Sequence, residues 1–217
     1  MRQLLGTLLL LGVVATAAVS EPPLHSDGKW RPLFDGKTLN GWTKPFDWGE
    51  AWVEGGEIRL RGNRKFFLVY EEVFHDFELV VEVNVPVGGN SGIQFRSHYR
   101  KNRLWGYQAE VDTSPRRWAG GLYDEGRRGW LVPLRDAPEK QKAFRNNSWN
   151  TYRIRAVGPR IQIWVNGIQT VDFVDQDTKN RDLDGYIALQ HHGERGLIYR
   201  FKNIRIRIID SPGTVEQ

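Results

Sequence analysis

Apolar and polar positions alternate with a period of two along most of the chain, and Gly, Pro, Asn and Asp break the alternation where strands would turn. Phe77, Leu79, Val81 and Val83 share one strand face, with Glu78, Glu82 and Asn84 on the other. The run PVGGN at 86–90 punctuates. Residues 91–96 form the next strand, with Ile93 and Phe95 inward and Gln94 and Arg96 opposite, and residues 107–112 continue the pattern. The clearest hairpin joins 161–165 to 168–173 through Asn166-Gly167, a pair suited to a type I′ turn because both central residues need positive φ. Residues 186–191 and 199–209 complete the set, the latter with Ile204, Ile206 and Ile208 on one face. About a dozen short strands of this kind predict an all-β fold, a jelly-roll sandwich of two packed antiparallel sheets.

The N-terminus has a different pattern. Arg2 precedes an apolar run over residues 4–14, and Ala15-Thr16-Ala17 and Ala18-Val19-Ser20 supply the small residues a signal peptidase reads. The run falls short of the roughly 20 residues a membrane span needs. Residues 1–20 are therefore expected to be a signal peptide, and residues 21–217 a single β-sandwich domain. The chain has no Cys, which excludes lipid attachment through an N-terminal Cys. The expected location is the bacterial periplasm or exterior, with no stable membrane anchor after signal cleavage. The length suffices to bury a core without disulfides or metals. Lys and Arg number 31 against 26 Asp and Glu, a net charge of +5. The basic residues are scattered over strands and turns, as in a solvated surface, so no nucleic-acid partner is expected.

No P-loop, dinucleotide fingerprint, zinc-type His pair or Cys cluster occurs, so no cofactor and no metal are expected. No Ser sits in a nucleophile elbow. Strand parity instead groups polar residues opposite the core. Gln94 and Arg96 share one face, Gln108, Glu110 and Asp112 a second, Gln190 and His192 a third. Planar amide, guanidinium, carboxylate and imidazole groups of this kind suit the hydroxyls of a carbohydrate. Nine Trp and seven Tyr offer rings to stack on a pyranose, notably Trp105, Tyr107, Trp118, Tyr123 and Trp130. Residues 118–147 form the longest stretch without alternation, and loops of that length are often functional. The outer face of a sandwich is ordinarily just solvated. Glu78 and Glu82 read that way, and Trp42, Trp52 and Trp149 read as core or edge packing.

Taken in order, several segments resemble the 3-keto-disaccharide hydrolase domain family. They are FDGKTLNGW at 34–42, NSGIQFR at 90–96, GYQAEVD at 106–112, GGLY at 120–123, WNTYRI at 149–154, IWVNG at 163–167, IALQHHG at 187–193 and FKNIRI at 201–206. The likeness spans roughly residues 30–209. It implies a concanavalin-like jelly roll with the ligand on the concave face of one sheet. The loop at 118–130 departs from the commonest family form by carrying extra charge and Trp130. The implied activity is cleavage of a glycosidic bond in a sugar already oxidised at C3. The ketone acidifies the C2 proton, a base removes it, the C1 substituent leaves, and water adds to the enone. Such a site needs a base, a donor for the enolate oxygen and an acid at the leaving group. The implied assignments are Glu110 or His192 as base, Arg96 and Gln94 as oxyanion and ring-hydroxyl donors, and Asp112 or Tyr123 as acid. Gln108, Gln190 and Trp130 would complete the binding surface. Two other readings stay open: a non-catalytic carbohydrate-binding module, and a two-carboxylate glycosidase using Glu110 and Asp112.

Overall fold

A computed structural model of the chain describes residues 28–209, so the expected signal peptide lies outside the described residues. In chain order the strands are β1 (Arg31–Pro32), β2 (Trp42–Thr43), β3 (Glu50–Glu54), β4 (Glu57–Arg61), β5 (Phe66–Phe74), β6 (Phe77–Asn84), β7 (Asn90–Arg100), β8 (Arg103–Asp112), β9 (Leu122–Glu125) and β10 (Gly129–Val132). One helical turn, α1 (Pro138–Gln141), follows, and then β11 (Asn150–Val157), β12 (Arg160–Val165), β13 (Ile168–Val174), β14 (Gly185–His191) and β15 (Ile198–Ile208). The stretch at 118–147 is thus not wholly irregular. Its β9–β10 hairpin is too short, and its turn too charged, for the alternation to show in sequence.

The strands form two sheets. The back sheet runs β13-β12-β11-β6-β15-β4-β3, with β1 also on β15; the front sheet runs β10-β9-β8-β7-β14-β5-β2. Neighbouring strands are antiparallel throughout. This is the all-β, two-sheet sandwich that the alternation predicts. The Asn166-Gly167 hairpin forms as expected, with φ of 49° and 84° and Val165 paired to Ile168.

The core lies between the sheets. Leu79, Val81, Val83, Ile154 and Phe201 from the back sheet meet Ile93, Phe95, Ala109, Val111 and Leu189 from the front sheet, each fully buried. Removing this much apolar area from water, at about 25 cal/mol per Å², is the main stabilising contribution. The outer face of the back sheet is less solvated than the sequence suggests. Glu78 is 3% exposed, because Arg153 and Arg207 from the flanking strands both donate to its carboxylate. Trp52 and Trp149 lie on the same side, covered by Arg61 and Lys202 respectively.

One irregularity of the front sheet bears directly on the site. In β7 the register slips between Phe95 and His98, so Arg96 and Ser97 together oppose Gly106, and Arg96 adopts φ 44°. Such a bulge re-aims side chains. Glycines on both neighbouring strands make room for it: a Cβ on Gly106 would lie 2.6 Å from Ser97 Cα, and one on Gly185 would lie 2.5 Å from the Arg96 carbonyl carbon.

Candidate active site

The outward side chains of β8, β7 and β14 form the floor of a cleft of about 370 Å³, within the size range of small-molecule sites. Gly92 pairs with Glu110 and Gln94 with Gln108. Gly92 leaves space that Gln108 fills: a Cβ there would lie 2.3 Å from the Gln108 side-chain carbonyl carbon. Gln108 Oε1 accepts from Gln94 and, at 2.9 Å, from Gln190, while its Nε2 donates to Glu110 Oε2 at 2.7 Å. Three amides thereby fix one carboxyl. Gln190 Oε1 is buried and has no hydrogen-bond partner.

Glu110 is only 4% exposed. Burial disfavours its charged form and pushes the carboxyl up to about 7, with Asp112 adding to the rise. Hydrogen bonds from Asn90 Nδ2 (2.7 Å) and Gln108, and the Arg116 guanidinium, pull the other way without cancelling burial. Arg116 also donates from Nε to Asp112 Oδ2 at 2.9 Å, and Asp112 Oδ1 accepts the Ser114 backbone N–H at 2.9 Å. The Arg116 guanidinium lies against Trp118 (4.8 Å) and Trp130 (5.1 Å). Trp130 packs edge-on against both Trp118 and Tyr123, so the aromatic wall and the acidic floor share one cation. Burial raises the pKa of Tyr123, which keeps its hydroxyl protonated.

His192 follows the end of β14 on the far side of the cleft. Its Nδ1 meets Glu194 Oε1 at 3.0 Å, and this partner raises its pKa. Nε2 has no partner among the described residues. Glu194 Oε2 accepts from the Tyr199 hydroxyl, whose oxygen accepts the Asn90 backbone N–H at 3.2 Å. Asn90 thus connects the two sides, holding Glu110 through its side chain and the Tyr199–Glu194–His192 chain through its backbone. His191 faces the core between Phe66 and Tyr199, with Nε2 on the Leu197 carbonyl (3.2 Å) and Nδ1 accepting the Gly193 N–H (3.0 Å). Lys65 and Glu125, paired at 2.5 Å, line the same cleft.

Of the residues grouped from sequence, Gln108, Glu110, Asp112, Tyr123, Trp130, Gln190 and His192 line this one cleft. Five do not. Trp105, Tyr107 and Trp118, offered as sugar-stacking rings, lie off the cleft, with Tyr107 buried against Phe95 and its hydroxyl on Asp175. Arg96 and Gln94 are corrected as well. Arg96 is fully buried, and the bulge turns it toward the end of the sandwich. There it donates to the His75 carbonyl (2.9 Å), the Gly158 carbonyl (2.6 Å) and Asp76 Oδ1 (2.7 Å), fastening the β5–β6 and β11–β12 turns. Parity fails for Arg96 because it assumes an unbroken strand. Gln94 is also fully buried, beneath Gln108, and reaches the cleft only through that amide.

The sequence reading missed Asn90, Arg116, Glu194, Lys65 and Glu125. Asn90 shares parity with Gly92 and Gln94, and Glu125 with Tyr123, so both were detectable. Arg116 and Lys65 sit outside strands, where no periodicity marks them. Among the described residues, no group of three or more His, Asp or Glu is arranged to hold a metal ion.

Fold and site together define a two-sheet β sandwich with a polar, aromatic-walled cleft on the outer face of one sheet. The chain belongs to the 3-keto-disaccharide hydrolase family: the family model, described as a 3-keto-alpha-glucoside-1,2-lyase-like domain, matches residues 29–207. A curated relative, the 3-keto-disaccharide hydrolase of Bacteroides thetaiotaomicron, is 23% identical over 251 residues, covering 87% of this chain and 81% of the relative. The fold is also that of a putative glycosyl hydrolase from Parabacteroides distasonis, with a TM-score of 0.62 at 18% identity over 88% of this chain and 99% of that one. A carbohydrate-binding module from Bacillus subtilis matches with a TM-score of 0.59 at 18% identity, covering 77% of this chain and 95% of the module.

Proposed function

We propose that the chain cleaves 3-keto-glycosides by elimination followed by hydration, with Glu110 as the base. The observation that carries this reading is the buried carboxyl of Glu110, oriented by Asn90 and Gln108 and raised to about 7. A base poised near neutrality takes a proton at physiological pH and releases it again.

The sugar lies over Gly92, with C2 toward Glu110, the C3 ketone toward His192, and C1 toward Tyr123 and Asp112. Glu110 takes the C2 proton. The electron pair forms the C1–C2 double bond as the C1–oxygen bond to the leaving group breaks. Negative charge that develops on the C3 oxygen is met by the His192 Nε2–H, whose imidazolium Glu194 supports. Tyr123 gives its proton to the departing oxygen and is reprotonated from water. Water then adds its oxygen to C1, and Glu110 returns a proton to C2, giving the free 3-keto sugar. Asp112, already committed to Arg116, positions that cation and is not the acid. Gln190 Oε1, buried without a partner, accepts a ring hydroxyl, and Trp130 and Tyr123 offer ring faces. The leader over residues 1–20 exports the chain to this task outside the cytoplasm.

A second reading, a binding module without chemistry, has the amides of Gln108 and Gln190 on the cleft floor in its favour, since they suit hydroxyl recognition alone. Incubating the chain in parallel with a 3-keto-disaccharide and its unmodified parent separates the two. Release of sugar from the keto compound only supports catalysis as written. Binding without turnover supports the module, and cleavage of the parent sinks both.

A further inference from the structure

A second cavity, of about 720 Å³, adjoins the cleft and shares Asp112 and Ser114 with it. It has about twice the volume of the cleft that takes the sugar ring, and its lining differs in kind. Val87, Pro115 and Phe144 present apolar surface, and Arg117 and Lys142 present cations. Consecutive arginines part at this boundary: Arg116 lines the cleft and Arg117 the cavity. The turn between the strands explains the division. Ser114 N–H is held by Asp112, Arg117 N–H donates to the Ser114 carbonyl at 3.1 Å, and Arg117 takes φ 56°.

The two cations are available to a ligand. Among the described residues the Arg117 guanidinium has no hydrogen bond, ion pair or ring contact. Lys142 meets Glu139 at 2.6 Å, but the side chains are 62% and 82% exposed, and a pair that open is easily exchanged. The carboxylate on the cavity wall, Asp112, is taken by Arg116, so it does not offset them. A neutral sugar has no use for two cations beside apolar walls.

Resting on the reading of the cleft as the sugar site, we propose that this cavity receives the leaving group and selects one that is aromatic and anionic, such as a carboxylated phenol. The apolar walls take the ring, and Arg117 and Lys142 take the carboxylate. The bond broken is the same C1–oxygen bond, and the phenol oxygen leaves with a proton from Tyr123.

The test compares 3-keto-glucosides, in both anomers, of 4-hydroxybenzoate and of 4-hydroxybenzamide, which differ in charge but hardly in shape. The proposal expects a KM roughly tenfold lower for the benzoate. In the Arg117→Gln/Lys142→Gln variant the ratio of the two KM values falls to near one. Equal KM values in the wild type, or a ratio the variant leaves intact, would overturn it. If neither glycoside turns over while a 3-keto-disaccharide does, the proposal is overturned and the catalytic reading stands. If the 3-keto-disaccharide is not cleaved either, that reading fails, and calorimetry with the free phenols then decides about the cavity. Tighter binding of 4-hydroxybenzoate than of 4-hydroxybenzamide, lost in the variant, upholds the anionic subsite; equal binding removes it.

Discussion

Arg116 Nη2 stands 3.3 Å from Glu110 Oε1, yet the Glu110 carboxyl is held at about 7 rather than lowered. The cation is 40% exposed and shared with Asp112, whereas the carboxyl is buried, so desolvation outweighs the pair. Removing Arg116 takes away a lowering influence and leaves the burial. Arg116→Gln should therefore move the acidic limb of the kcat/KM–pH profile to higher pH, with a roughly two- to five-fold loss at pH 7. A limb that moves down, or stays put, would show that Glu110 does not set it.

Glu110→Gln should lower kcat by roughly 10²–10⁴, the range of a lost general base, while the protein stays folded. Its stability should respond in the opposite sense. The folded pKa of Glu110, about 7, lies above the ordinary 4.5, so the folded state holds the proton more tightly. The resulting stabilisation is complete below pH 4.5 and is lost as pH rises through 7. Wild type should thus fall behind the variant by an amount that grows across this window to about 3 kcal/mol. Chemical denaturation at pH 5 and pH 8 measures it; a constant difference would contradict the raised carboxyl.

On the other side of the cleft, the hydrogen bond to Glu194 is the largest cause of the raised His192 pKa. If the imidazolium stabilises the enolate, activity falls as pH rises through that pKa. Glu194→Gln should bring the alkaline limb to lower pH, and an NMR titration of His192 should follow it by the same displacement. An NMR shift without a kinetic one would remove His192 from the reaction.

Arg96 gives the contrasting case. Its guanidinium is sealed from solvent with Asp76 and two turn carbonyls as partners, and each lost hydrogen bond from such a charged group costs about 1.5–3 kcal/mol. Arg96→Met should lower stability by that order while leaving kcat/KM per folded molecule within roughly twofold. A large loss in kcat/KM without loss of stability would return Arg96 to the site.

The sandwich was legible because alternation survives wherever one strand face is buried, as in Leu79, Val81 and Val83. Parity also found most of the floor, since Gln108, Glu110 and Asp112 sit on an unbroken strand. It failed for Arg96, where a bulge accommodated by Gly106 and Gly185 redirects the side chain; one sequence does not announce a bulge. It was silent on Arg116, because a cation delivered from a turn obeys no period. Burial depth was equally invisible, and burial is what sets the state of Glu110.

The most direct test of the account is cleavage of a 3-keto-glycoside in D₂O, with NMR of the sugar as it is released and free 3-keto sugar as the exchange control. Elimination and rehydration predict deuterium at C2 of the product at early times, ahead of the control, in those turnovers in which the Glu110 carboxyl exchanges its proton with solvent before returning it. They also predict a primary isotope effect from a C2-deuterated substrate. Product that keeps its original C2 hydrogen in every molecule, with no isotope effect from the C2-deuterated substrate, would mean direct hydrolysis at C1, and would contradict Glu110 as the base that takes the C2 proton.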